Sequence, residues 1–112
     1  MKKIEAIIRP NRLEEIKEAL SAIDISGVTI SQVMGCGRQR GFKEVYRGTQ
    51  IDINVLPKMR LETVVEDARA EQVIEAIVAA SRSGEVGDGK IFVSTVDDAV
   101  RIRTGEQGVI AL

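Results

Sequence analysis

Histidine is absent from the 112 residues, and cysteine occurs once, at Cys36. Without histidine the chain lacks the commonest general base near neutral pH and the commonest metal ligand, and a single cysteine builds neither a thiolate cluster nor an internal disulfide. Zinc chemistry and a serine or cysteine triad are thereby excluded. Aromatic residues are nearly as scarce: Phe42, Tyr46 and Phe92 are the only ones, too few for a sheet that stacks RNA bases. Neither sign of charge dominates, since 16 Lys and Arg stand against 17 Asp and Glu. No overall field therefore draws the chain to nucleic acid or to an anionic membrane. No apolar run approaches the ~18 residues of a membrane span. The start, Met1 to Ala6, enters charged, strand-like sequence without the apolar stretch of a signal peptide. A cytoplasmic protein is expected.

What is present is the composition of an ordinary globular protein, 44% hydrophobic and 29% charged. The length suits one domain, 1–112, burying roughly two-thirds of its extended-chain surface on folding. Ile4, Ala6 and Ile8 alternate with Glu5, Ile7 and Arg9, the period of a strand, and Pro10 stops it. Asn11 with Glu14 has the spacing of a capping box, and Leu13, Ile16, Leu20 and Ile23 recur at helical intervals, which predicts a helix over about 12–23. Val28 to Met34 reads as a second strand. The order then repeats: a strand from Met59 to Val65, a helix with Asp67 as candidate cap and a stripe of Val73, Ile74, Ile77 and Val78, and a strand from Ile91 to Val96.

Two β-α-β units in one short chain predict the ferredoxin-like α+β arrangement, βαββαβ, an antiparallel sheet with both helices on one face. Its other face carries Ile7, Val64 and, as a further candidate, Val93. Self-association would cover such a face, although scattered surface aliphatics are common in any protein. Between strands 2 and 3 the segment of about 36–55 is longer than a usual connection, and long loops of that kind are functional or disordered.

Gly84, Gly89 and Lys90 stand at Walker A spacing, but Ile91 replaces the Ser or Thr that binds magnesium. The segment also leads from a helix into a strand, the reverse of a P-loop. A P-loop NTPase is excluded. What remains is a run, Ser83-Gly84-Glu85-Val86-Gly87-Asp88-Gly89-Lys90, in which glycines let backbone N–H groups converge on an anion and Lys90 adds a charge. Taken alone, it reads equally as a glycine-rich turn with a solvated lysine. Arg101 and Arg103 lie two apart, so on extended chain their guanidiniums point the same way and suit a polyphosphate. Alternating charge on an exposed strand would account for them too; beside Gly87 to Lys90, a triphosphate site accounts for both features. The long loop is basic, with Arg38, Arg40, Lys43 and Arg47, and Tyr46-Arg47-Gly48 supplies the residue types of interface anchors. A solvated loop and a ligand-ordered docking arm both fit it.

The strings Tyr46-Arg47-Gly48, Gly87-Asp88-Gly89-Lys90-Ile91-Phe92-Val93 and Arg101-Ile102-Arg103-Thr104-Gly105-Glu106 resemble the PII nitrogen-regulatory signal proteins, in a spacing that covers the whole chain. The resemblance implies a homotrimer whose sheets face inward, with ATP and ADP competing for clefts between subunits and 2-oxoglutarate binding beside ATP through magnesium. It assigns nucleotide contacts to Thr29, Gly37, Arg38, Gly87, Asp88, Gly89, Lys90, Arg101 and Arg103. It assigns magnesium and 2-oxoglutarate to Gln39, with Lys58 for the distal carboxylate, all hard oxygen chemistry that needs no His or Cys. Gln39 at the loop's base would couple effector to loop shape. Tyr46, Arg47 and Gly48 at its tip would meet a partner: an ammonium transporter first, or else a transcription factor or a nitrogen-assimilation enzyme. Contact with the membrane comes only through the transporter. Many relatives carry a nucleotidylated tyrosine where this chain has Ile51, which implies that this switch is absent. Thr49 stands where some relatives have a phosphorylated serine.

Other readings compete with a non-catalytic regulator. A nucleotide-binding enzyme with slow ATP hydrolysis would have only Asp88 or Glu62 as base, and a regulator responding to nucleotide alone needs the phosphate site but not Gln39 or Lys58. The divalent-cation tolerance proteins share the architecture without this phosphate loop.

Overall fold

The computed structural model describes residues 1–36 and 55–112 in full and, between them, the backbone of two strands. Strand β1 (Lys2–Ile8) buries Ile4, Ala6 and Ile8 and leaves the residues between them half-buried on the opposite face. Pro10 has no N–H to extend the strand and opens a 3-10 turn, Pro10–Arg12, that runs into helix α1 (Leu13–Ala22). The capping box expected at Asn11 and Glu14 does not form. Arg12 holds the cap position without a side-chain cap, and its N–H bonds to Arg9 O at 3.0 Å. Ile16 and Leu20 form the buried stripe of α1.

Strand β2 (Val28–Gly35) is followed by β3 (Phe42–Tyr46) and β4 (Thr49–Ile53), which pair antiparallel as a separate ribbon inside the expected loop. Strand β5 (Leu56–Val65) begins earlier than its alternation predicts. Pro57 lies past the end of β1, which reaches only to Met59, so at that point β5 has a strand neighbour on one side only. A second 3-10 turn, Asp67–Arg69, leads into α2 (Ala70–Ser81), and β6 (Gly89–Thr95) ends the sheet. Asp67 does not cap this helix either; its carboxylate pairs with the Met1 amino group at 3.0 Å.

The four long strands pair antiparallel in the order β2-β5-β1-β6, with both helices against one face. This is the ferredoxin-like α+β fold. Its core joins Ile4, Ala6, Ile8 and Leu61 from the sheet to Ile16, Leu20, Val73 and Ile77 from the helices. Burying each isoleucine, leucine or valine among them contributes roughly 1.5–3 kcal/mol, and the Ala6 methyl less.

Register decides what the other face carries. Val93 stands opposite Ile4, so it belongs to the helix side, and Phe92, opposite Glu5, takes the open face. Ile7 and Val64 do lie there, but among charges. Glu5 faces Glu62 directly, an unfavourable pairing that Lys3 and Arg60 offset at 3.3 and 3.1 Å from Glu62.

Candidate functional site

Helix α2 ends at Ser81 and β6 begins at Gly89, and the turn between them is built around one carboxylate. Asp88 accepts the N–H of Ser83 at 2.7 Å and of Gly84 at 2.9 Å, together with the Ser83 hydroxyl. The Ser83 oxygen in turn accepts the Glu85 N–H at 3.2 Å. Two cations from other elements hold the outer rim. Arg9, just past β1, donates to Val86 O at 2.7 Å and sets its Nε 3.5 Å from Asp88. Lys58 of β5 donates to Gly87 O at 3.0 Å. The glycine run is thus a shaped loop.

These contacts move two pKa values. The Ser83 hydroxyl and N–H, then the Gly84 N–H and Arg9, hold the Asp88 carboxyl down at about 2. Burial first and Arg9 second lower that of Lys58, against the opposing pull of Asp88. Because the folded Asp88 value lies below the ordinary 3.8, its bracing of the loop is complete above about pH 4 and is lost as pH falls through about 2. Carbon-detected NMR should show the Asp88 carboxyl titrating near 2, with the Ser83 and Gly84 amides following it. A midpoint near 4 would contradict this bracing.

Beside the loop opens a cleft of about 290 Å³, lined by Ile7, Val78 and Ile91 and by Asp88, Gly89 and Lys90. That is at the small end for a cofactor-sized site. Asp88, Gly89 and Lys90 therefore share one cleft, with the Asp88 side chain turned to the loop itself, while Gly87 meets Lys58 through its main-chain oxygen. Arg9 is not legible as a site residue in the sequence, since nothing marks an arginine at a strand end as a partner of a loop 77 positions away.

The remaining expected contacts are not gathered there. Thr29 lies on β2, the edge opposite β6, and pairs with Glu62 of β5, three strand spacings or roughly 14 Å from the Lys90 strand. Arg101 and Arg103 do not share an extended strand. The chain turns at 102–104, and Gly105 N–H bonds to Arg101 O at 2.7 Å. The Arg101 guanidinium instead meets Glu106 at 3.3 Å and the main-chain oxygens of Ile110 and Leu112 at 3.2 Å each, while Arg103 is exposed in the turn. Among the described residues, no hydrogen bond or ion pair joins either arginine to 83–90. Gly37, Arg38, Gln39, Arg47 and Gly48 and the side chains of Tyr46, Thr49 and Ile51 lie outside the described residues. Among the described residues, no group of three His, Cys, Asp or Glu is arranged to hold a metal, and no helix is long and apolar enough to cross a membrane.

A family model described as Nitrogen regulatory protein P-II matches residues 1–106. A nitrogen regulatory protein P-II of Rhodospirillum rubrum is 53% identical over 108 residues, 96% of each chain. Those of Rhizobium meliloti and Haemophilus influenzae are each 52% identical over 112 residues, 100% of both chains in either case. All three relatives are named as regulators, and the likeness runs through both β-α-β units, the braced loop and the C-terminal turn. The chain belongs to the P-II family of nitrogen regulatory proteins.

Proposed function

We propose that the protein is a cytoplasmic, non-catalytic signal protein that reads nitrogen, carbon and energy status by binding ATP or ADP and, with magnesium and ATP, 2-oxoglutarate. The observation that carries this reading is the braced loop of Ser83 to Lys90: Asp88 takes the N–H groups of Ser83 and Gly84 and so shapes a glycine-rich edge, from Gly87 to Lys90, that suits phosphate oxygens. Thr29 at the far sheet edge and Arg101 and Arg103 in the C-terminal turn are complementary groups that one chain does not bring to that loop. A neighbouring copy would supply them, which supports a homotrimer with nucleotide clefts between subunits. Exposed apolar residues fit the same assembly: Phe92 is 54% exposed and Ile102 99%.

Gly37, Arg38, Gly87, Gly89 and Lys90 would line the phosphates, with Gln39 among the oxygen ligands of magnesium. Held there, magnesium would supply the charge of a hard cation to the oxygens of the bound effectors. Lys58 would take the distal carboxylate of 2-oxoglutarate, and its bond to Gly87 O already ties it to the phosphate loop. Occupancy of the two sites would thus be linked, and the segment carrying Tyr46, Arg47 and Gly48 would report it to an ammonium transporter or another nitrogen-regulated partner.

Calorimetric titration of 2-oxoglutarate with magnesium, once beside ATP and once beside ADP, tests the reading. Binding with ATP alone is expected. Nucleotide binding without any 2-oxoglutarate response would leave a nucleotide-only regulator, and loss of both would overturn the proposal. Steady release of inorganic phosphate in the same samples would favour a slow ATPase.

A further inference from the structure

The C-terminal turn holds Arg101 in a way that bears on any anion it is to bind. We propose that residues 106–112 are an internal competitor for the Arg101 guanidinium, occupying the donors that a polyphosphate would take; this rests on the reading of Arg101 as a phosphate ligand. A guanidinium recognises phosphate through paired N–H donors in a fixed fork. Here Nη1 faces the Glu106 carboxylate at 3.3 Å, and Nη2 donates to both Ile110 O and Leu112 O at 3.2 Å. Phosphate oxygens reach that fork only when these acceptors leave it.

The part beyond Gly108 is built to leave, whereas Glu106, whose main-chain oxygen accepts the Arg101 N–H at 2.9 Å, frees Nη1 by turning its side chain away. The near part of the segment is anchored: Val100 bridges Gln107, and the Gly108 N–H bonds to Ala99 O at 2.9 Å and to Asp98 at 3.0 Å. Beyond Gly108 the chain makes one 3-10 turn, and Val109 and Ile110 remain 50% and 65% exposed. Little apolar surface is lost when that turn lifts. The anchor nevertheless keeps the competing oxygens close, so they act at the high effective concentration of a short tether. Gly108 is the hinge, at φ +78, with open space where a side chain would stand. An alanine there strains the hinge without creating a clash.

The test is calorimetric titration of magnesium-ATP into the wild-type protein and into Gly108→Ala, Glu106→Gln and Arg101→Ala, and into each of the first two combined with Arg101→Ala. Both single tail variants should tighten ATP binding by about threefold to tenfold, the scale of a few exchanged hydrogen bonds. Arg101→Ala should weaken it and abolish the effect of either tail variant. Unchanged or weaker binding in both tail variants, with Arg101→Ala still weakened, would overturn the competitor and leave Arg101 as a phosphate ligand. Wild-type affinity in Arg101→Ala would overturn the phosphate role of Arg101, and the competitor with it.

Discussion

Gly89→Ala is expected to destabilise the protein by about 3–5 kcal/mol, combining left-handed backbone strain with overpacking against a fixed wall. Gly89 sits at φ +110, and a Cβ there would lie 1.8 Å from Ile7 O and 2.9 Å from Ile7 C. Those atoms are backbone of β1, which is paired on both sides. No side chain can rotate away, so either β6 or the central strand must shift. A loss of that size is a large share of the ~5–15 kcal/mol that stabilises a typical domain. Gly84→Ala is the matched control. Its φ of +87 carries comparable backbone strain, but nothing lies within 4 Å of the new Cβ, so the cost should stay at about 1–2 kcal/mol. Urea unfolding of the two variants measures the difference. Equal midpoints would refute the close approach of β6 to β1.

The second large effect is on binding. Asp88→Asn should lower ATP affinity by about tenfold or more, the scale of losing charge-assisted hydrogen bonds, and lower the unfolding midpoint only modestly, because the brace is solvent-screened and lies outside the core. The carboxylate accepts from Ser83 and Gly84 and stands beside Arg9. An amide keeps one oxygen but turns an NH₂ toward groups that are themselves donors. The loop then loses its closure, whereas the core of Ile4, Leu61, Val73 and Ile77 is untouched. Calorimetry with magnesium-ATP, alongside thermal unfolding, separates the two quantities. Affinity within twofold of wild type would mean that the brace does not shape the nucleotide site.

Several features were legible before folding because their cause is local. The alternation of Ile4, Ala6 and Ile8 and the stripes of Ile16 with Leu20 and Val73 with Ile77 each record one buried face, and each formed where expected. Helix starts were less legible. Asn11 and Asp67 have the right chemistry for caps, but each lies in a 3-10 turn placed ahead of its helix, and Asp67 finds a stronger partner in the Met1 amine. The face of Val93 was not readable at all, since alternation gives two faces without naming them; pairing with Ile4 decides. For Arg101 and Arg103, spacing two apart means a shared direction only on extended chain, and the turn at 102–104 removes that premise.

The order of elements, the exclusion of histidine and thiolate chemistry, and the presence of a glycine-rich loop ending in Lys90 follow from composition and periodicity, which are properties of neighbouring residues. Tertiary structure alone decided that Arg9 and Lys58 clamp that loop at Val86 and Gly87, that Thr29 stands at the opposite sheet edge, and that the C-terminal oxygens reach Arg101. Those relations join residues far apart along the chain, and the strand register and hydrogen-bond geometry that set them exist only once the sheet has formed.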